Sequence, residues 1–250
     1  MQTLSNVSKK VQRGFTLLEL LIVIAILAIL AAVVIIVLNP AQTLAQARDS
    51  QRLSDLATMK SAISLYMTTV NPVDLDGGAG ALAGCLGDNH TDANIYYSYP
   101  QANAVSACVG VLTPGAGADI GSGFDAAAGD FCMSIASPTH ALVDGTGWIP
   151  VDFTDITGGS PLSNLPVDPT NTLLDATPTS ADFLYRYICQ QGGVDGTKPT
   201  PAFELAATLE STKYAGASPN QDMDANDGGD NTAYYEVGTT LTIGPTEATY

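Results

Sequence analysis

The chain has 250 residues, room for one large domain with an appendage, and a formal net charge of −16 from 9 basic and 25 acidic residues. That acid surplus argues against binding along a nucleic-acid backbone, so no nucleic-acid partner is expected. At 46% apolar the chain is too hydrophobic for an acidic disordered segment, and its two histidines and four scattered cysteines leave little for a His-based metalloenzyme or a zinc finger.

Residues 1–14 form a polar leader carrying Lys9, Lys10 and Arg13 and no acid. Residues 15–38 are apolar apart from Thr16 and Glu19. As a helix this run rises about 36 Å, enough to cross a hydrocarbon core of about 30 Å with some tilt. Basic residues before it predict a cytoplasmic N-terminus and an exported remainder. The run is too long for the apolar core of a secretory signal, and no small-x-small cleavage site follows it directly. Glu19 is the informative position, because a carboxylate within a bilayer is costly unless paired or protonated. A cut between Gly14 and Phe15 would expose an α-amino group one helical turn from Glu19. The two could neutralise each other within a chain, or between neighbouring chains, where the pairing would set axial register.

The run Lys9-Lys10-Val11-Gln12-Arg13-Gly14-Phe15-Thr16-Leu17-Leu18-Glu19-Leu20-Leu21-Ile22-Val23-Ile24 resembles the N-terminus of type IV pilins and type II secretion pseudopilins. The resemblance implies that a prepilin peptidase cuts after Gly14 and methylates Phe15, and that Glu19 is the glutamate used in assembly. It further implies residence in the bacterial cytoplasmic membrane as a single-pass protein with the head exported. Copies of the chain or related pilins, together with inner-membrane assembly machinery, would then build a periplasmic or extracellular filament.

Asn39-Pro40 should kink or melt the helix just beyond the membrane, because proline removes a hydrogen bond and clashes with the preceding turn. Residues 39–70 form the soluble half of the helix. Leu56, Met59, Ile63, Tyr66 and Val70 recur at helical spacing and predict a stripe packed on a head, with Arg48, Asp49, Arg52, Asp55 and Lys60 at more polar positions. Asn71-Pro72 ends the rod.

The head, residues 71–250, turns rich in Gly, Ala, Asp, Thr and Pro and holds 22 acids against Arg186, Lys198 and Lys213. Short β-like runs fall at residues 95–99, 131–135, 147–153, 183–189, 201–209, 234–237 and 239–243. One long helix followed by such strands predicts an α+β fold, the helix packed on an antiparallel β-sheet head. Trp148-Ile149-Pro150-Val151 and Leu165-Pro166-Val167-Asp168-Pro169-Thr170-Asn171 are similar to a segment of major pseudopilins. By residue chemistry the second stretch is a turn, with Asp and Asn capping backbone groups. Cys85, Cys108, Cys132 and Cys189 are disulfide candidates in an oxidising exterior. Four cysteines allow three connectivities, and the expectation leans to Cys85–Cys108 with Cys132–Cys189.

Residues 222–231 place Asp222, Asp224, Asn226, Asp227, Asp230 and Asn231 around two glycines, a hard-oxygen set suited to Ca²⁺. The register is not that of an EF-hand, since Asp227 and Ala233 occupy its glycine and closing-glutamate positions. The resemblance to major pseudopilins implies a calcium in a C-terminal loop here; from the loop's own oxygens the expected ligands are Asp222, Asp224, Asp227 and Asp230, with backbone carbonyls as further donors. No nucleophile elbow, nucleotide loop or His-centred pair points to an enzyme. The expected function is a structural subunit of a type IV pilus-like filament or a type II secretion pseudopilus. The alternative is a membrane-tethered, calcium-dependent binding or adhesion module that does not polymerise.

Overall fold

A computed structural model of the chain describes residues 14–77, 85, 95–101, 132–136, 139–172, 180–190, 201–215 and 222–244. Leader residues 1–13, Cys108 and the side chain of Cys132 lie outside the described residues. The chain divides into two compact units, the first ending at Thr43 and the second running from Leu44 to Tyr250.

In the first unit, α1 (Leu17–Leu38) begins at the N-cap Thr16 and ends at Asn39, whose left-handed backbone (φ +38°) closes the helix just before Pro40. Its 22 residues rise about 33 Å, and it is long and apolar enough to cross a membrane. The apolar side chains are exposed on every side of the helix, Leu17 at 82% and Val37 at 74%. An all-round apolar helix without protein cover belongs in lipid or among other helices.

The second helix, α2 (Pro40–Thr69), supplies the expected stripe to the second unit. Leu56, Met59, Ile63 and Tyr66 are fully buried, and the half-buried Val70 packs on the same core. The stripe also continues towards the N-terminus through side chains that pattern alone assigns to the polar positions, since Asp49 and Arg52 are 0% exposed.

The sheet has five strands: β1 (Ile95–Gln101), β2 (Cys132–Ala136), β3 (Tyr185–Gln190), β4 (Ala202–Ala207) and β5 (Tyr235–Gly238), in spatial order β2-β1-β3-β4-β5. The α+β layout is as expected. Four strands are antiparallel neighbours, with Tyr97 opposite Arg186, Cys189 opposite Phe203 and Ala206 opposite Glu236. The antiparallel sheet is as expected, and at one edge a fifth strand, β2, runs parallel to β1. The 30 residues between these two strands leave room for the return crossing that parallel pairing needs.

Both faces of the sheet are buried, so its strands show no simple apolar-polar alternation. Tyr185, Tyr187, Phe203 and Leu205 join the α2 stripe, Trp148 and Phe153 in one core. Ile95, Tyr97, Leu184, Ile188, Ala206 and Tyr234 form a second core on the other face. That second face also carries Arg186, whose guanidinium lies 4.2 Å from the Tyr234 ring centroid.

Two of the expected strands do not form. Residues 147–153 are deeply buried but make only the isolated bridge Asp144–Asp152. Their bonds go to loops instead: Trp148 N donates to the His140 carbonyl, Trp148 Nε1 to the Pro166 carbonyl, and Phe153 N to the Val143 carbonyl. Pro150 has no N–H to offer a ladder. Residues 239–243 bend back over β4, and Ile243 N and Gly244 N both donate to Glu204 Oε2 at 3.1 Å.

The disulfide also differs from expectation. Cys85 is bonded to Cys189, 104 residues away, with Cα atoms 4.7 Å apart. This overturns both expected pairings, Cys85–Cys108 and Cys132–Cys189. Register decides it: Cys189 pairs with Phe203 on the face towards α2, and Cys85 joins that same core, its N–H held by Asp76 Oδ2 at 3.1 Å.

Candidate functional site

Gly14, Phe15 and Thr16 precede the first helical turn, and Phe15 is 83% exposed. Among the described residues, no atom outside its chain neighbours approaches within 4 Å of the space a side chain at Gly14 would fill. The Gly14–Phe15 peptide is therefore non-helical and open, the condition a protease needs to align an extended substrate.

Thr16 and Glu19 form a reciprocal capping box. Thr16 Oγ1 accepts from Glu19 N at 3.2 Å, while Glu19 Oε2 accepts from Thr16 N and Thr16 Oγ1, each at 3.4 Å. The carboxylate thus sits at the positive end of the helix dipole and holds Thr16 N, the amide next to that of Phe15. Sequence placed Gly14, Phe15 and Glu19 here, but the part played by Thr16 needed the cap geometry to be seen.

Residues 9–35 match a family model described as the prokaryotic N-terminal methylation motif. The N-terminus is a prepilin-type cleavage and methylation signature. Neither the curated proteins nor the solved structures yield a match to the chain. The motif is the one shared by type IV pilins and pseudopilins and marks a substrate of prepilin peptidase. With the apolar α1 it fits single-pass anchoring in the inner membrane.

Two further polar clusters lie within residues 44–250. The first is built on Arg52, whose Nε and Nη2 bind both oxygens of Asp168 at 2.6 and 2.9 Å. Its Nη1 reaches Asp49 and Glu210 at 2.8 Å each, and Arg48 adds a second fork to Glu210. Burial opposes charge on Arg52, but the hydrogen bonds and charges of Asp168, Glu210 and Asp49 outweigh it and raise its pKa. Asp168 also accepts from Thr170 N and Asn171 N, as its turn chemistry predicts. Tyr185 OH adds a hydrogen bond to Asp55 at 2.8 Å.

The second cluster is the acidic loop. Asp222 Oδ1 accepts from Ala225 N at 3.4 Å. Asp227 spends its two oxygens on Gly229 N (2.8 Å) and Glu236 N (2.5 Å). Asp230 is exposed, whereas Asp224 is buried and its Oδ1 has no hydrogen-bond partner. Burial, reinforced by the charges of Asp222, Asp227 and Asp49, pushes the Asp224 carboxyl up to about 7. Among the described residues no three Asp, Glu, His or Cys side chains are gathered into a metal cage.

Sequence reasoning missed two carboxyls beside this loop. Glu204 on β4 and Glu236 on β5 are almost wholly buried, and their carboxyls lie close enough to hydrogen-bond each other, which requires a proton on one of them. Burial drives both pKa values up. Glu236 Oε2 accepts from Asn231 N at 3.3 Å and lies where a Cβ at residue 229 would sit, so a side chain there would have to displace the Glu236 carboxyl. The available signal was an acid within each of two apolar strands, Phe203-Glu204-Leu205 and Tyr235-Glu236-Val237. Asp222, Asp227, Glu236 and Lys60 of α2 line a cleft of about 400 Å³.

Proposed function

We propose that the chain is a structural subunit of a pilus-like filament or a secretion pseudopilus. Its precursor is cut after Gly14, methylated on Phe15 and then moved from the membrane into a helical assembly through α1. The prepilin signature over residues 9–35, standing on an exposed apolar helix, carries this reading. Transfer of α1 from lipid to a bundle of like helices exchanges one apolar environment for another. The hydrophobic effect therefore supplies little direction, and packing, the Glu19–Phe15 contact and an assembly motor must supply it.

The test is the intact mass of the chain extracted from membranes of cells holding a prepilin peptidase, paired with filament counts for Glu19→Leu. A product starting at Phe15 and heavier by one methyl group is expected. Glu19→Leu should be processed and remain in the membrane while losing its filaments. A Glu19→Leu chain that still assembles would remove Glu19 from the assembly step, whereas a chain that forms no filaments and performs unchanged as Glu19→Leu would favour the tethered binding module.

The acidic loop adds a proposed calcium site. Its donors would come from Asp222, Asp224, Asp227 and Asp230, with Glu236 at hand from β5. The fit rests on hard-oxygen chemistry and on a buried carboxyl oxygen that no donor satisfies, Asp224 Oδ1. Bound calcium would neutralise this charge and draw the loop carboxylates together. A ligand binding only the folded head at a hundred times its Kd stabilises by about 2.7 kcal/mol. Saturating Ca²⁺ should therefore raise the melting temperature and chelation reverse it, and a melting curve indifferent to calcium removes the metal.

A further inference from the structure

The cleft of about 400 Å³ beside the acidic loop carries unlike charges on its walls. Asp222 and Asp227 of the loop and Glu236 of β5 line it, and Lys60 of α2 is the one basic residue among the described residues that does so. Gly229 N and Glu236 N fix the Asp227 oxygens at 2.8 and 2.5 Å. The rest of the lining is uncharged.

Lys60 differs from the other two basic residues of α2. Arg48 and Arg52 are committed to Glu210, Asp49 and Asp168. Lys60 is exposed and makes no ion pair among the described residues. A direct ion pair would close the cleft, whereas an ammonium held off the carboxylates leaves it open. A space of that volume is about 9 Å across if round, less than the Debye length of about 10 Å in roughly 0.1 M salt, so the ammonium acts on any ion that enters.

We propose that Lys60 is the counter-ion of this cleft. It balances the loop carboxylates while no cation is bound and opposes a divalent cation that enters, so it sets the concentration at which the site fills. The identity of that cation rests on the calcium reading, whereas the counter-ion role does not. A divalent ion meets twice the repulsion that a monovalent ion meets, and overcomes it by drawing on several carboxylate oxygens at once.

The experiment compares the full chain in detergent with Lys60→Met and Lys60→Arg. Ca²⁺ binding is measured by calorimetry and the melting temperature in chelator, each at low and high ionic strength. Lys60 is exposed and methionine is as good a helix former, so the variants keep α2. At low ionic strength Lys60→Met should bind Ca²⁺ about 10-fold more tightly. In chelator it should melt about 2 °C below the native chain. Salt should narrow both differences, and Lys60→Arg should behave as the native chain does. Ca²⁺ bound with equal affinity by the native chain and Lys60→Met overturns the proposal, as does equal melting in chelator or any change that Lys60→Arg shares. If Ca²⁺ binds neither chain, the calcium reading falls and the chelator melts alone decide: a salt-dependent loss in Lys60→Met supports the counter-ion, and equal melting overturns it. Should Lys60→Met fail to fold, Lys60→Gln takes its place under the same outcomes.

Discussion

Arg52 shows how much one side chain can decide. It lies on α2 four residues before Leu56 and is fully buried, although its charge alone would place it among the solvated positions. Its bidentate bond to Asp168 and its contacts to Asp49 and Glu210 make burial tolerable. Replacing such a pair whole by apolar residues is often neutral, whereas removing one partner leaves a buried charge unpaired. Arg52→Leu should therefore destabilise the folded chain by about 3–5 kcal/mol. Arg52→Leu combined with Asp168→Asn should recover part of that loss. Denaturant midpoints for the two variants check this, and equal midpoints would mean that Asp168 does not depend on Arg52. Glu19 is the contrasting case, legible at once because an acid inside an apolar run needs a reason. The geometry adds Thr16, whose hydroxyl and N–H hold the carboxylate over the helix start.

At the scale of elements, helices were easier to read than strands. The α2 stripe repeats every three to four residues and depends only on the chain itself. The runs at 147–153 and 239–243 have strand composition, yet their backbone groups find loop and side-chain partners, Glu204 above all. Strand formation needs a neighbour in register, which composition does not supply. The Cys85–Cys189 bridge ties the end of β3 to the segment between α2 and β1, closing a loop of about a hundred residues. A bridge of that span restrains the unfolded chain, and its loss from a small exported domain costs about 2–5 kcal/mol. Cys85→Ser should lower the melting temperature in oxidising buffer by as much as reductant lowers that of the native chain. A larger effect from reductant would point to another bridge sharing the load.

At the scale of the whole molecule, the charge distribution predicts a two-sided pH dependence. Glu210 has its pKa lowered chiefly by its hydrogen bond to Arg48, with Arg52 adding to it against burial. Its contribution is present above about 4.5 and is lost as pH falls through the lower folded value. Asp224 behaves oppositely. Its folded pKa lies above the unfolded one, so its contribution is full below about 3.8 and disappears as pH rises through about 7. In chelator, melting temperature should fall on both sides of a mildly acidic optimum. Glu210→Gln should flatten the acid limb and Asp224→Asn the neutral limb, as thermal scans across pH would show. A neutral limb unchanged by Asp224→Asn would assign it instead to the Glu204–Glu236 pair.

What the sequence determined unaided is whatever contiguous residues can encode. A basic leader, a prepilin-type signature, an apolar run of membrane length and a single acid within it are legible without reference to the rest of the fold. The α2 stripe and the α+β order of elements were legible for the same reason, since periodicity is local. Tertiary structure alone decided the partners of Arg52, of Cys85 and of Glu204, which lie 116, 104 and 39 residues away. Each pairing depends on which face of a strand or turn comes to rest against which other. That choice is made by packing two cores on one sheet, and no single stretch of chain contains it.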